Sequence, residues 1–317
     1  MEPSSTSVPG IAVLAVNATS LSEAIILCFA AIIERGESVA PRGFPTREIR
    51  PAVVTIADPR RRVVCMPGRR VNPCFGAAET MWILRGSEAP WIFDYNAALL
   101  KFADGGILRG AYGPRLRNWG GAKDQLRWVL RVLKEDSSSR RAVIQIFDPG
   151  AVDIAHHDIP CTIGFRFFIR QGRLSMHTLM RANDVWLGMP YDVFCFTTIH
   201  EIMAFNLKCV LGDYVHIVDS IHLYDHDLER ARGCHLPQEF ASAQHTAHRP
   251  LRVSLDDLDE ELDAATKGGA PPHGAFGEHG ALLKLYGQVK QGLQPDAGLL
   301  NSLSPAFRES FALWSAP

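Results

Sequence analysis

The chain has 317 residues, 47% of them hydrophobic and 21% charged, with a formal net charge of −1. That is material for one large core, without the basic field that would hold a nucleic-acid polymer. Seven scattered cysteines, odd in number and never in Cys-x-x-Cys spacing, argue against a disulfide framework or a zinc knuckle and for a reducing cytoplasm.

Residues 1–10 are small and Pro/Ser-rich and read as a flexible arm. They carry neither a basic segment nor a cleavage-site pattern, so no secretory signal is expected. Ile11–Val16 reads as a short strand, and Asn17 to Ser20 supply capping side chains for a helix reaching about Arg35, with Gly36 as its stop. That helix is apolar nearly all round and should be buried. Its apolar run Ala24–Ile33 is half of the ~20 residues a membrane span needs, so no membrane contact is expected. Glu37–Val64 reads as extended segments, with Val53 to Ile56 the best strand, Arg42-Gly43 in the first loop and Arg60-Arg61-Arg62 as a solvated charge run. A helix from Pro73 to about Leu84 carries Glu79 on an otherwise apolar stretch. Most such glutamates sit at a solvated edge; a minority are functional, because an idle buried carboxylate is costly.

Trp91–Gly106 reads as a mixed connector and Arg109–Trp119 as a glycine-punctuated loop containing Tyr112. Leu126, Val129, Leu130 and Leu133 at helical spacing predict an amphipathic helix over Lys123–Lys134. Arg140 and Arg141 open a strand, Ala142–Phe147; adjacent guanidinium groups there suit either a charged surface or phosphate oxygens. Thr162–Ile169 and Arg173–Thr178 predict a hairpin about Gln171-Gly172. Pro190 to about Leu211 should be one long helix or a pair, leading to a core strand near Val215–Tyr224. Residues 256–279 turn acidic and then Gly/Pro/His-rich, the composition of a mobile loop, and Gly280–Leu293 suggests one more helix. Without internal repeats or a clean linker, residues 1–317 read as a single α/β (α+β) domain.

The chemistry concentrates between Asp158 and Tyr224. Pro160-Cys161 is followed by the run from Arg181 and Ala182 through Asp184 and Gly188 to Pro190-Tyr191-Asp192, and then by His222-Leu223-Tyr224. Glu79 with Trp82, Tyr112-Gly113 and Ser139-Arg140-Arg141 stand upstream, with Arg42 a weaker member. In this order and spacing the chain resembles the thymidylate synthase superfamily over about residues 37–230. The resemblance implies a mixed β-sheet covered by helices, one sheet face being used for a homodimer. It also implies a pyrimidine nucleoside monophosphate as substrate and 5,10-methylenetetrahydrofolate as co-substrate, with no metal.

Residue by residue, the resemblance makes Cys161 the nucleophile that adds to C6 of the ring, its thiol pKa lowered by nearby arginines. Arg181, Arg42 and, from the partner subunit, Arg140 and Arg141 would hold the phosphate. Glu79 would orient water and relay protons at the base, and Tyr112 would assist loss of the C5 proton. Asp184, with Glu79, Trp82 and Gly188, would lie on the folate side; His222 and Tyr224 would meet the sugar hydroxyl.

Two departures from the synthase pattern carry the specificity. Asp192 stands where uracil-using synthases have asparagine. A carboxyl group accepts from the cytosine N4 amine and, when protonated, donates to N3, so Asp192 points to a cytosine nucleotide; the plainer reading is an aspartate at a helix N-terminus. Ala182 replaces the usual serine, which suits a ribose 2′-hydroxyl and hence CMP over dCMP. Thr162 follows the cysteine where histidine is common, and neither Trp91 nor the tail Leu313–Pro317 matches the synthase segments that enclose the folate. The expectation is a CMP 5-hydroxymethylase in which water, not hydride, captures the exocyclic methylene. The alternatives are a dCMP hydroxymethylase, a C5-methylase of CMP, dCMP or dUMP, or a catalytically silent nucleotide-binding relative.

Overall fold

The computed structural model describes residues 13–237, 248–267 and 274–316; the expected arm at 1–10 lies outside them. Strands β1 (Leu14–Ala18), β2 (Glu37–Val39), β3 (Thr46–Ile49), β4 (Ala52–Ile56), β5 (Val143–Gln145), β6 (Thr162–Arg170), β7 (Arg173–Met180), β8 (Asn183–Asp184), β9 (Val210–Val218) and β10 (Ile221–Tyr224) make two sheets. One has the order β1-β4-β9-β7-β6-β5, the other β2-β3-β10-β8. Both mix parallel and antiparallel pairs. The helices are α1 (Leu21–Arg35), α2 (Pro73–Leu84), α3 (Ile92–Tyr95), α4 (Tyr112–Arg117), α5 (Gln125–Glu135), α6 (Met189–Asn206), α7 (Leu228–Arg232), α8 (Leu258–Thr266), α9 (Gly277–Lys290), α10 (Ala297–Ser302) and α11 (Pro305–Ser315).

The large sheet obeys the alternation expected of strands with one covered face. Val54, Ile144, Phe165, Met176, Tyr214 and Val218 are buried on the side packed by α1 and α6. Val53, Ile163, Leu179, Val215 and Ile217, on the other side, stay partly open. α1 starts at Ser20, whose hydroxyl accepts from Glu23 N–H at 3.2 Å. Its end differs from expectation: Gly36 is not a left-handed cap (φ −65°, ψ 134°) but turns the chain straight into β2.

The expected strand at Val215–Tyr224 is two strands. β9 ends at Val218, and after Asp219-Ser220 the chain enters the small sheet as β10. That break gives the small sheet its role. It sets the Arg42 loop, between β2 and β3, on the sheet that also carries Asp184 on β8 and His222 and Tyr224 on β10. The stretch 256–279 is only partly a loop: α8 fills Leu258–Thr266 and Phe276 is wholly buried, while 268–273 lie outside the described residues. The Trp91–Gly106 connector holds α3 and a 3-10 segment, Ala97–Phe102.

The arginine run is not a solvated face. Arg61 and Arg62 are 7% and 2% exposed. Arg62 Nη2 meets Glu201 Oε2 of α6 at 2.5 Å, its Nη1 donates to Thr198 at 3.0 Å, and its Nε to the Pro59 carbonyl at 3.1 Å. A charge can be buried here because a carboxylate and two further acceptors meet it.

No helix among the described residues is long and apolar enough to cross a membrane, and none of their His, Cys, Asp and Glu side chains form a group that could hold a metal ion.

Candidate active site

Cys161 lies at the mouth of β6, where the register with β7 shifts between Thr162 and Gly164. Gly164 permits the kink: a Cβ there would stand 2.3 Å from the Ile144 carbonyl oxygen. Arg181, at the end of β7, ties this corner down. Its Nε donates to the Pro160 carbonyl at 3.0 Å and its Nη2 to that of Ile159 at 2.9 Å, while its N–H donates to the Cys161 carbonyl at 2.9 Å. The expectation of a lowered thiol pKa fails in the single chain. Burial pushes the Cys161 thiol up, with Arg181 and then Arg42 pulling the other way. Two cations, one on an exposed loop, do not overcome desolvation.

A cavity of about 170 Å³ opens between α2, α4 and α6. Glu79, Tyr112, Asp158 and Asp192 form its polar side; Trp82, Ile92, Leu99 and Phe102 contribute to its apolar wall. α2 packs against α6, with the space beside Gly76 filled by Phe194 and Tyr191. A helix apolar all round therefore carries Glu79 inward, not to a solvated edge. Burial raises Glu79 to about 8, and Asp192 adds to the shift. Asp192, in the first turn of α6, is raised to about 7, again by burial, with Asp184 adding and a hydrogen bond from Asn183 opposing. Tyr112 heads α4, and its pKa is driven well above the usual value by burial and by the charges of Asp192 and Cys161. Asp158 accepts from Gly110 N–H at 2.8 Å, holding the loop before α4 against the loop that ends in Cys161.

Asp184 and Gly188 lie off this cavity. The Asp184 carboxylate accepts from Trp186 N–H at 2.8 Å. A Cβ on Gly188 would come within 2.8 Å of Asn183 Nδ2 and 3.2 Å of Asp192 Oδ2, so glycine is needed there for packing against the Asp192 pair. His222 and Tyr224 make an edge-to-face ring pair at 5.5 Å, and Phe44 from the Arg42 loop meets Tyr224 at 6.3 Å. Ala182 is half-buried beside Arg181. Arg140 and Arg141 are exposed just before β5, at the edge of the large sheet. Trp91 lines a separate cleft with Arg85, Leu262 and Asp263. The tail forms α11 with Phe307 and Phe311 buried, and Trp314 stacks on Tyr286 at 5.8 Å.

Several site residues had no sequence signal of their own. Leu99 and Phe102 belong to a 3-10 segment with no pattern to announce it. Cys195 has Sγ 3.8 Å from Glu79 Oε2 and 3.1 Å from Thr80 Oγ1; its spacing of three from Asp192 on one helix face was the available clue.

Fold and site together define a protein of the thymidylate synthase fold, with a thiol, two protonatable carboxyls and a phenol close together. The chain belongs to the thymidylate synthase family, whose model, "Thymidylate synthase", matches residues 28–250. A deoxyuridylate hydroxymethyltransferase of Bacillus phage SP01 is 34% identical over 246 residues, an alignment covering 73% of this chain and 63% of that protein.

Proposed function

We propose that the protein is a cytidylate 5-hydroxymethylase acting on CMP. The observation that carries this is Asp192: a carboxyl in the wall of the cavity, kept protonated to about pH 7 by burial, in place of the amide that would suit uracil. Its proton is the donor that cytosine N3 requires, and its other oxygen accepts from N4.

The remaining residues take roles around that contact. Cys161 Sγ adds to C6 of the ring, making C5 a carbon nucleophile. Arg181 holds the nucleophile's loop and, with Arg42, faces the phosphate; Ala182 leaves room for a ribose 2′-hydroxyl; His222 and Tyr224 meet the sugar. The apolar wall of Trp82, Ile92, Leu99 and Phe102 suits the flat ring of a folate. 5,10-Methylenetetrahydrofolate, when bound, supplies the carbon that becomes bonded to C5. The C5 proton leaves to a water molecule oriented by the Tyr112 hydroxyl, and Glu79, protonated at neutral pH, exchanges protons with the ring and positions the water that adds to the exocyclic methylene before Cys161 leaves. Capture by water and not by hydride is supported by the name of the phage relative, a hydroxymethyltransferase; hydride delivery would need the folate held and water shut out. A homodimer through the open face of the large sheet would bring Arg140 and Arg141 to the partner's phosphate.

A second reading, hydroxymethylation of deoxyuridylate, is favoured by the name of the phage relative. Incubation with 5,10-methylenetetrahydrofolate and each of CMP, dCMP, UMP and dUMP decides between them. The expected product is 5-hydroxymethyl-CMP with tetrahydrofolate. Dihydrofolate with a methylated base would overturn water capture, and a preference for dUMP would overturn the base and sugar readings. Asp192→Asn should move preference toward uracil. Absence of Cys161-dependent tritium release from C5 of CMP and dUMP would make the protein a silent nucleotide binder.

A further inference from the structure

A buried polar relay stands behind Asp192, outside the chemistry just described. Asn183 Nδ2 donates to Asp192 Oδ2 at 2.8 Å. Asn183 Oδ1 is 2.9 Å from His216 Nε2, His216 Nδ1 is 2.9 Å from the Tyr214 hydroxyl, and that hydroxyl is 3.0 Å from Thr178 Oγ1. Asn183 is 4% exposed and the other three 0%. They come from β8, β9 and β7, with Thr178 opposite His216 in the ladder. Such a row of buried polar groups is costly unless every member is paired, and apolar side chains would fill the same space without that cost. Gly188 leaves the gap in which the Asn183–Asp192 pair sits.

A carboxyl group reads a base by which of its oxygens carries the proton. An N–H pointed at Oδ2 keeps that oxygen an acceptor and leaves the proton on Oδ1. Turning the amide over would present a carbonyl to Oδ2 and call the proton there. Along this edge cytosine and uracil are reversed: an N4 donor beside an N3 acceptor, against an O4 acceptor beside an N3 donor. Moving the proton between the two oxygens therefore exchanges the preferred base. We propose that Asn183, oriented by His216, Tyr214 and Thr178, is the positioning residue that fixes the proton on one oxygen of Asp192 and so selects between cytosine and uracil. This rests on Asp192 being the base contact.

The test is the ratio of kcat/KM for CMP to that for UMP in the full chain and in Asn183→Leu, His216→Phe, Tyr214→Phe and Asp192→Asn. The relay variants should bring the ratio about tenfold closer to unity, the scale of one misdirected hydrogen bond. Tyr214→Phe removes a single oxygen and keeps the test open should a larger change fail to fold. A relay that only packs the core would slow both substrates alike, and an unchanged ratio overturns the proposal. If Asp192→Asn also leaves the ratio unmoved, the base contact itself is wrong; if it alone shifts the ratio, only the relay's role falls.

Discussion

Among the described residues no cation shifts Asp192, so burial decides its protonation. An acid whose folded pKa lies near 7 and whose unfolded value lies near ~3.9 binds more protons when folded across that interval. Stability therefore falls as pH rises from the lower value to the upper, and the full penalty is present above about 7. Asp192→Asn, which has no charge to bury, should raise the melting temperature more at pH 8 than at pH 5. An equal change at both pH values would show that the carboxyl is not held protonated. Binding follows the same sign. CMP affinity, measured in a Cys161→Ser background to set thiolate formation aside, should weaken above about pH 7 in a way that Asp192→Asn abolishes. Glu79, raised to about 8 by the same cause, keeps a proton to hand at neutral pH.

At the scale of elements, α6 serves the site at one end and the core at the other. Its first turn presents Asp192, and six and nine residues on Thr198 and Glu201 receive Arg62. Glu201 also accepts from Leu251 N–H at 3.3 Å, linking the helix to the chain before α8. Removing one partner of a buried pair strands the other, at a cost of about 3–5 kcal/mol. Arg62→Ala should lose stability on that scale in urea unfolding. Arg60→Ala should lose far less, because its side chain is 44% exposed and its Nε is 3.9 Å from Glu201 Oε1. The helices were legible wherever their faces were apolar, as in α2 and α5. The fate of Arg62 was not, because its partner lies 139 residues away and nothing local distinguishes a buried arginine from a solvated one.

For the whole molecule, the open face of the large sheet and the exposed pair Arg140-Arg141 make one proposal, since a dimer would use both. Introducing aspartate at Leu179 or Ile217 should yield monomers in sedimentation and abolish turnover. Mixing inactive Cys161→Ser subunits with inactive Arg140→Ala/Arg141→Ala subunits should restore activity, because each mixed dimer then holds one site with a native cysteine and native partner arginines. No recovery after subunit exchange would place the phosphate contacts within one chain.

The sequence by itself determined the family, and with it the residues proposed for the chemistry: Pro160-Cys161, the run from Arg181 to Asp192 and His222-Leu223-Tyr224 keep their order and spacing whatever the fold does around them. It also determined the main elements, because alternation along strands and apolar helix faces are local patterns. Only the tertiary structure decided the environment of each group. Desolvation raised Cys161 where neighbouring arginines were expected to lower it, packing between α2 and α6 turned Glu79 inward, and three strands joined Asn183, His216, Tyr214 and Thr178 behind Asp192. Burial and hydrogen bonding depend on what the rest of the chain places around a group, and that is a property of the fold.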